Sequence, residues 1–145
     1  MQQLIEVLLV EDNEPDAELT ILALRKSHIL NNIVHLIDGS EAVDFLFGKG
    51  QFEGRDITNK PSLILLDLKM PKVGGIELLK IIKADAATKK IPVVILTSSK
   101  ESPDIEKCFS LGANSYIVKP VDFDNFMKAI GELGFYWMFL NQRPQ

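Results

Sequence analysis

Five side chains with distinctive chemistry stand directly after short apolar runs. Glu11 and Asp12 follow 5–10, Asp67 follows 63–66, Thr97 follows 93–96 and Lys119 follows 116–118. Taken singly, an Asp or Thr in such a place is a common turn former or helix cap. Together they describe a site. Three carboxylates sharing one crevice repel one another, which raises their pKa values and destabilises the fold unless a cation offsets them. Glu11, Asp12 and Asp67 carry −3 and Lys119 carries +1, so a divalent ion supplies the missing +2. All-oxygen ligands with no adjacent His or Cys point to Mg²⁺ first and Mn²⁺ second, ions that keep several waters and bridge to phosphate. In such a setting Asp67 can attack phosphorus and form an aspartyl phosphate. The metal and Lys119 neutralise the transferred group, and the Thr97 hydroxyl can donate to a phosphoryl oxygen. No His falls at an expected strand end, so no general base for fast hydrolysis is visible, and the phosphorylated state is expected to last long enough to be a signal.

Residues so far apart in sequence meet only if the fold gathers them. The runs 5–10, 33–37, 63–66, 93–96 and 116–118 are nearly continuous and rich in Leu and β-branched residues, as strands covered on both faces are. Between them, 16–27, 40–47, 76–84, 103–111 and 123 to about 140 carry apolar residues at helical spacing. That alternation predicts an α/β fold on a parallel sheet, in which ligands bind outside the carboxyl ends of strands where strand order reverses. Asn13 with Pro15 opens the first helix, Ser102 with Pro103 the fourth, and Gly112 stands where a left-handed cap is wanted. The connection 48–61 spans 14 residues and holds Gly48, Gly50 and Gly54. Such connections commonly take about 2 to 6 residues. A tolerated surface insertion is expected there, with a partner-contact loop as the alternative.

The chain has 145 residues, 46% hydrophobic and 25% charged, and a formal net charge of −4, which fits one domain over 1–145 with its own core. One cysteine, Cys108, excludes an internal disulfide framework and a multi-cysteine zinc site; it is expected as buried filler beside Ile105. His28 and His35 are expected to be structural or solvated. Apolar runs such as 135–140 fall far short of the roughly 18 residues of a spanning helix. The first ten residues carry no basic residue, so no secretion signal is expected and the cytoplasm is the expected compartment. With 20 acidic against 16 basic residues and no basic block, neither nucleic acid nor a membrane is expected as a partner.

Four segments resemble the receiver domain of two-component response regulators: ValGluAspAsn at 10–13, LeuAspLeuLysMetPro at 66–71, LeuThrSer at 96–98 and TyrIleValLysPro at 116–120. They match in type, order and spacing, and the resemblance covers about 5–140. It implies a flavodoxin-like, doubly wound (βα)5 fold with strand order 2-1-3-4-5. It implies Asp67 as phosphoacceptor, Glu11 and Asp12 as the acidic pair, and Lys119 as the lysine that contacts the phosphoryl group. Asp12, Asp67 and the main-chain carbonyl of Lys69 become the Mg²⁺ ligands, with Glu11 acting through water. A cis peptide is implied before Pro120. Thr97 and Tyr116 resemble a switch pair, the hydroxyl moving toward the phosphoryl oxygen and the ring turning into the vacated space. Lys69 and Ser99 occupy positions where the family tunes dephosphorylation, and the Lys69 side chain is expected to point outward.

Only 25 residues follow Pro120, so no output domain is expected and the signal leaves through protein contacts. The resemblance implies a sensor histidine kinase or phosphotransfer protein as donor, docking near the first helix, and an output surface of fourth helix, fifth strand and fifth helix. The last helix carries a second apolar face near its end, which suggests homodimerisation through the fourth-to-fifth-helix face extended by Phe135, Trp137, Phe139 and Leu140. The tail, the long loop and the absence of an output domain are similar to stand-alone regulators paired with bacterial phytochromes, so a phytochrome partner is implied by analogy. Three other functions compete, of which a nucleotide-binding Rossmann unit lacks a glycine in 10–15 to let a pyrophosphate approach the first turn. A phosphohydrolase using Asp67 as transient nucleophile lacks the second aspartate two residues on, where Lys69 stands. A phosphorylation-independent receiver-like adaptor has no need of intact Glu11, Asp12, Asp67, Thr97 and Lys119.

Overall fold

The computed structural model describes residues 5–27, 30–70, 72–100 and 102–133. Along them run β1 (Ile5–Val10), α1 (Glu14–Arg25), β2 (Leu30–Leu36), α2 (Gly39–Phe47), β3 (Leu63–Asp67), α3 (Gly75–Ala84), β4 (Val93–Thr97), α4 (Pro103–Ser110), β5 (Ser115–Val118) and α5 (Phe123–Glu132). The five strands form one parallel sheet in the order β2-β1-β3-β4-β5. This is the doubly wound, flavodoxin-like arrangement that the resemblance implies.

Period-two alternation splits the core in two. Val7, Leu9, Leu63, Leu65, Val94, Leu96 and Ile117 pack with Ala17 and Leu24 of α1 and with Phe126 and Ile130 of α5. Leu8, Val10, Ile64, Leu66, Val93 and Ile95 pack on the opposite face with α2, α3 and Cys108 of α4. Every residue of β3 and β4 is buried, which is why both read as unbroken apolar runs. Cys108 is fully buried, and that burial pushes its thiol up from the ordinary value. No described helix is long and apolar enough to cross a membrane.

The helix starts follow their signals. Asn13 caps α1 by accepting from the Asp16 N–H at 2.9 Å, and Ser102 caps α4 by accepting from the Asp104 N–H at 3.2 Å. Gly112 takes a φ of +110° just past α4. Other boundaries moved. β2 covers Leu30–Leu36 instead of 33–37, because it is an edge strand whose polar start still pairs: Asn32 sits beside Glu6 and donates to its carboxylate at 3.2 Å. Ile37 lies beyond the strand and is exposed. α1 starts at Glu14, two residues earlier than its apolar pattern, because the cap is Asn13.

The connection 48–61 folds back on α2. A 3₁₀ turn at Gly50–Phe52 brings the Phe52 ring edge-on to Phe45, centroids 5.2 Å apart. The Arg55 guanidinium lies 3.8 Å over the same Phe45 ring and donates to the Phe45 carbonyl at 2.9 Å and the Asn59 carbonyl at 2.6 Å. The expected continuation of the last helix to about 140, with Phe135, Trp137, Phe139 and Leu140, lies outside the described residues, as does His28.

Candidate functional site

Strand register decides which side chains meet. Val10 pairs with Leu66, so Glu11 leaves β1 level with Asp67. Asp67 pairs with Leu96 and Thr97 with Val118, which sets Thr97 and Lys119 each one step farther along. Strand order reverses between β1 and β3, and the crevice opens at that point. Alternation then sorts the side chains: Asp67 shares the phase of Leu63 and Leu65 and faces the α1 side, whereas Thr97 shares the phase of Val93 and Ile95 and faces the α4 side, as Tyr116 does.

The crevice encloses about 420 Å³ and is lined among others by Asp12, Asp16, Asp67, Lys69, Thr97 and Lys119. Glu11 is fully buried behind it, Asp67 is buried and Asp12 is exposed. Their carboxylates each bring one oxygen within 4.8 Å of the others. The Lys119 Nζ stands 2.8 Å from Glu11 Oε1, 3.1 Å from Asp16 Oδ2 and 3.3 Å from Asp67 Oδ1. Main-chain amides complete the cradle: the Asn13 N–H donates to Glu11 Oε2 at 3.2 Å and the Lys69 N–H to Asp67 Oδ1 at 3.3 Å. The Lys69 residue as a whole is exposed. The Lys119–Pro120 peptide is cis.

Burial and the neighbouring Asp67 carboxyl raise Glu11 to about 7, against the lowering pull of Lys119. Burial alone lowers Lys119, yet its bonds to Glu11 and Asp16 and the charges of Asp67 and Glu11 outweigh that and hold the ammonium above its ordinary value. The lysine is therefore a fixed positive charge at the floor of an acidic crevice.

Thr97 and Tyr116 stand on the other side of the sheet edge. The Thr97 hydroxyl donates to the Ser99 carbonyl at 3.1 Å and accepts from the Ser99 N–H at 3.3 Å, so its proton is directed away from the Asp67 carboxylate. Tyr116 is half-buried, its ring edge-on to Phe109 with centroids 6.1 Å apart.

His35 takes the structural place expected of it, nearer the strand end than expected, and Asp16 is a site residue that the sequence reading did not mark. His35 is the penultimate residue of β2, at a strand end after all, since β2 stops at Leu36 and not at 37. Its Nε2 lies 2.8 Å from the Glu11 main-chain carbonyl, so this ring nitrogen is engaged with the backbone of the acidic segment. Asp16, which sequence patterning marks only as the start of a helix, is a direct partner of Lys119. The available signal was its place one helical turn beyond Asp12, on the face of α1 that abuts the crevice. Counting Asp16, the site holds four carboxylates and one ammonium, and a divalent ion would still leave it at −1. The donor set is all oxygen, with Asp12 open to solvent, and it fits a hard divalent cation.

Residues 7–131 match the family model described as response regulator receiver domain. The chain is 37% identical over 138 residues to the probable methanogenesis regulatory protein FilR2 of Methanothrix harundinacea, covering 95% of this chain and 86% of that one. It is 36% identical over 132 residues to the response regulator Rcp1 of Synechocystis, covering 91% and 88%. Among solved structures, the bacteriophytochrome response regulator RtBRR superposes with a TM-score of 0.87 at 45% identity over 98% of this chain and 85% of that one. A Mn²⁺-bound form of Rcp1 gives 0.76 at 34% identity, covering 97% and 99%. The phosphorylated cyanobacterial phytochrome response regulator RcpA gives 0.74 at 34%, covering 98% and 98%. With the five-stranded order, the acidic crevice and the strand-end residues in place, the chain belongs to the response regulator receiver domain family of two-component signalling.

Proposed function

We propose that the chain accepts a phosphoryl group on Asp67 from the phosphohistidine of a sensor histidine kinase and thereby switches a protein-contact surface. The observation that carries this is the Asp67 carboxylate, buried at the crevice floor with the Lys119 ammonium 3.3 Å away. A carboxylate oxygen of Asp67 forms a bond to phosphorus as the phosphorus–nitrogen bond to imidazole breaks, and the freed imidazole takes a proton. Lys119 stays charged throughout and compensates the negative charge that arrives. Asp12, Asp67 and the Lys69 main-chain carbonyl would hold Mg²⁺, with Glu11 acting through water, and the bound ion supplies positive charge against the phosphoryl oxygens. The Mn²⁺-bound state of Rcp1 and the phosphorylated state of RcpA support both assignments.

Thr97 serves as the sensor in this reading: it gives up the Ser99 carbonyl to reach a phosphoryl oxygen, and Tyr116 moves from Phe109 into the space it leaves. The protein acts in the cytoplasm as a phosphoacceptor that catalyses its own phosphorylation and slow dephosphorylation. The bacteriophytochrome regulators among its relatives support a phytochrome as the kinase. The output is a homodimer through the α4 to α5 face, where Phe109 is exposed on α4. A dilution series by sedimentation checks that part; a monomer in both phosphorylation states would contradict it.

Intact-protein mass spectrometry after incubation with acetyl phosphate and Mg²⁺ tests the acceptor. One added phosphoryl mass is expected, lost both in Asp67→Asn and under chelation. No added mass from acetyl phosphate or from a phosphorylated kinase would leave the domain a phosphorylation-independent adaptor.

A further inference from the structure

The Lys119 ammonium stands within ion-pair distance of three carboxylates, Glu11 at 2.8 Å, Asp16 at 3.1 Å and Asp67 at 3.3 Å, and its contact with Asp16 has hydrogen-bond geometry. A phosphoryl oxygen bound by this ammonium competes with these carboxylates for it. The three acceptors differ in what release costs. Glu11 is 0% exposed, and a carboxylate there stripped of its ammonium is left buried without a counter-charge. Asp67 is the reacting group. The Asp16 side chain is 34% exposed, so water can take the place of the lysine at small cost.

The backbone of Asp16 is fixed. Its N–H is tied to the Asn13 cap at 2.9 Å and its carbonyl accepts from the Thr20 hydroxyl at 2.9 Å. The carboxylate is therefore held at the crevice wall in the first turn of α1.

We propose that Asp16 is a positioning residue that holds Lys119 in the unphosphorylated state and surrenders it to the incoming phosphoryl group, making this ion pair a brake on phosphorylation and a filter on donor charge. The inference rests on Asp67 as acceptor. Before phosphorylation the pair keeps the lysine turned toward α1. During transfer the lysine exchanges one carboxylate for a phosphoryl oxygen, and Asp16 becomes solvated. Because Asp16 adds a negative charge at the entrance, it opposes a dianionic donor more than a monoanionic one.

Asp16→Asn tests this by keeping shape and removing charge. Phosphorylation rates are compared for wild type, Asp16→Asn and Asp16→Glu, with acetyl phosphate as the dianionic donor and phosphoramidate as the monoanionic one, at saturating Mg²⁺. Asp16→Asn is expected to gain on the order of fivefold with acetyl phosphate and less with phosphoramidate, Asp16→Glu to stay near wild type, and the difference to shrink in high salt. The Lys119 Nζ resonance, followed by NMR without any donor, is expected to shift in Asp16→Asn and not in Asp16→Glu. Equal or lower rates for Asp16→Asn, in proteins that both take phosphate, overturn this inference alone. Failure of wild type to take phosphate from either donor or from a kinase overturns the acceptor assignment, and the inference with it.

Discussion

Glu11 and Asp67 stand side by side at the switch point with one lysine to share, and Glu11, the more deeply buried, is driven up to about 7 by burial and by its neighbour. A crevice of this kind trades stability for chemistry. Removing one carboxylate should relieve it: Asp67→Asn is expected to stabilise the metal-free protein by about 1 kcal/mol, raising Tm by roughly 2–4 °C. Mg²⁺ should then raise the Tm of wild type more than that of the variant, because binding to the native state stabilises by mass action. Thermal melts in chelator and in Mg²⁺ check both, and a variant that melts lower than wild type in chelator would show that the repulsion is already balanced. At this scale the convergence of Glu11, Asp12, Asp67, Thr97 and Lys119 on one crevice was legible because they follow apolar runs. Asp16 was not, since an acid in a first helical turn has an ordinary reason to be there: it favours the positive end of the helix dipole. The strand end beside His35 shifted for a different reason. The apolar run placed the end of the strand one residue farther on than the hydrogen-bonded ladder does.

The elements hold these residues by close backbone contact. α3 begins against the end of β3: a Cβ added at Gly75 would meet the Asp67 carbonyl oxygen at 2.5 Å and the Leu68 Cα at 2.6 Å, and backbone cannot swing aside as a side chain can. Gly75→Ala is expected to destabilise the protein by about 1–3 kcal/mol and to slow phosphorylation by shifting Asp67. Its neighbour provides the contrast. Gly74 is the N-cap of α3, makes no side-chain capping bond, and has nothing within 4 Å of an added Cβ. Gly74→Ser should therefore stabilise by a few tenths of a kcal/mol while leaving phosphorylation unchanged. Urea melts of the two variants check the pair. Element type was legible throughout, because buried parallel strands and amphipathic helices carry opposite patterns. The start of β2 was not, because an edge strand tolerates Asn32 where an interior strand would not. Nor did composition reveal how 48–61 packs, since Arg55 over Phe45 joins residues from two separate segments.

For the whole molecule, the order β2-β1-β3-β4-β5 matters most, because it brings the ends of β1 and β3 side by side and lets Lys119 close the site from two strands away. Periodicity predicted a parallel sheet; the order itself followed from the motif resemblance and agrees with the structure. An acidic protein of net charge −4 sets three carboxylates around one lysine, with Asp12 beside two of them. The most direct measurement is chemical mapping of the acceptor. Borodeuteride reduces an acyl phosphate to the alcohol, so a phosphorylated aspartate becomes deuterated homoserine, found by peptide mass mapping. After phosphorylation in Mg²⁺, the label is expected at position 67 and to be absent from Asp67→Asn. Label at another aspartate, or phosphate that resists reduction because it sits on a hydroxyl or an imidazole, would contradict the assignment of Asp67.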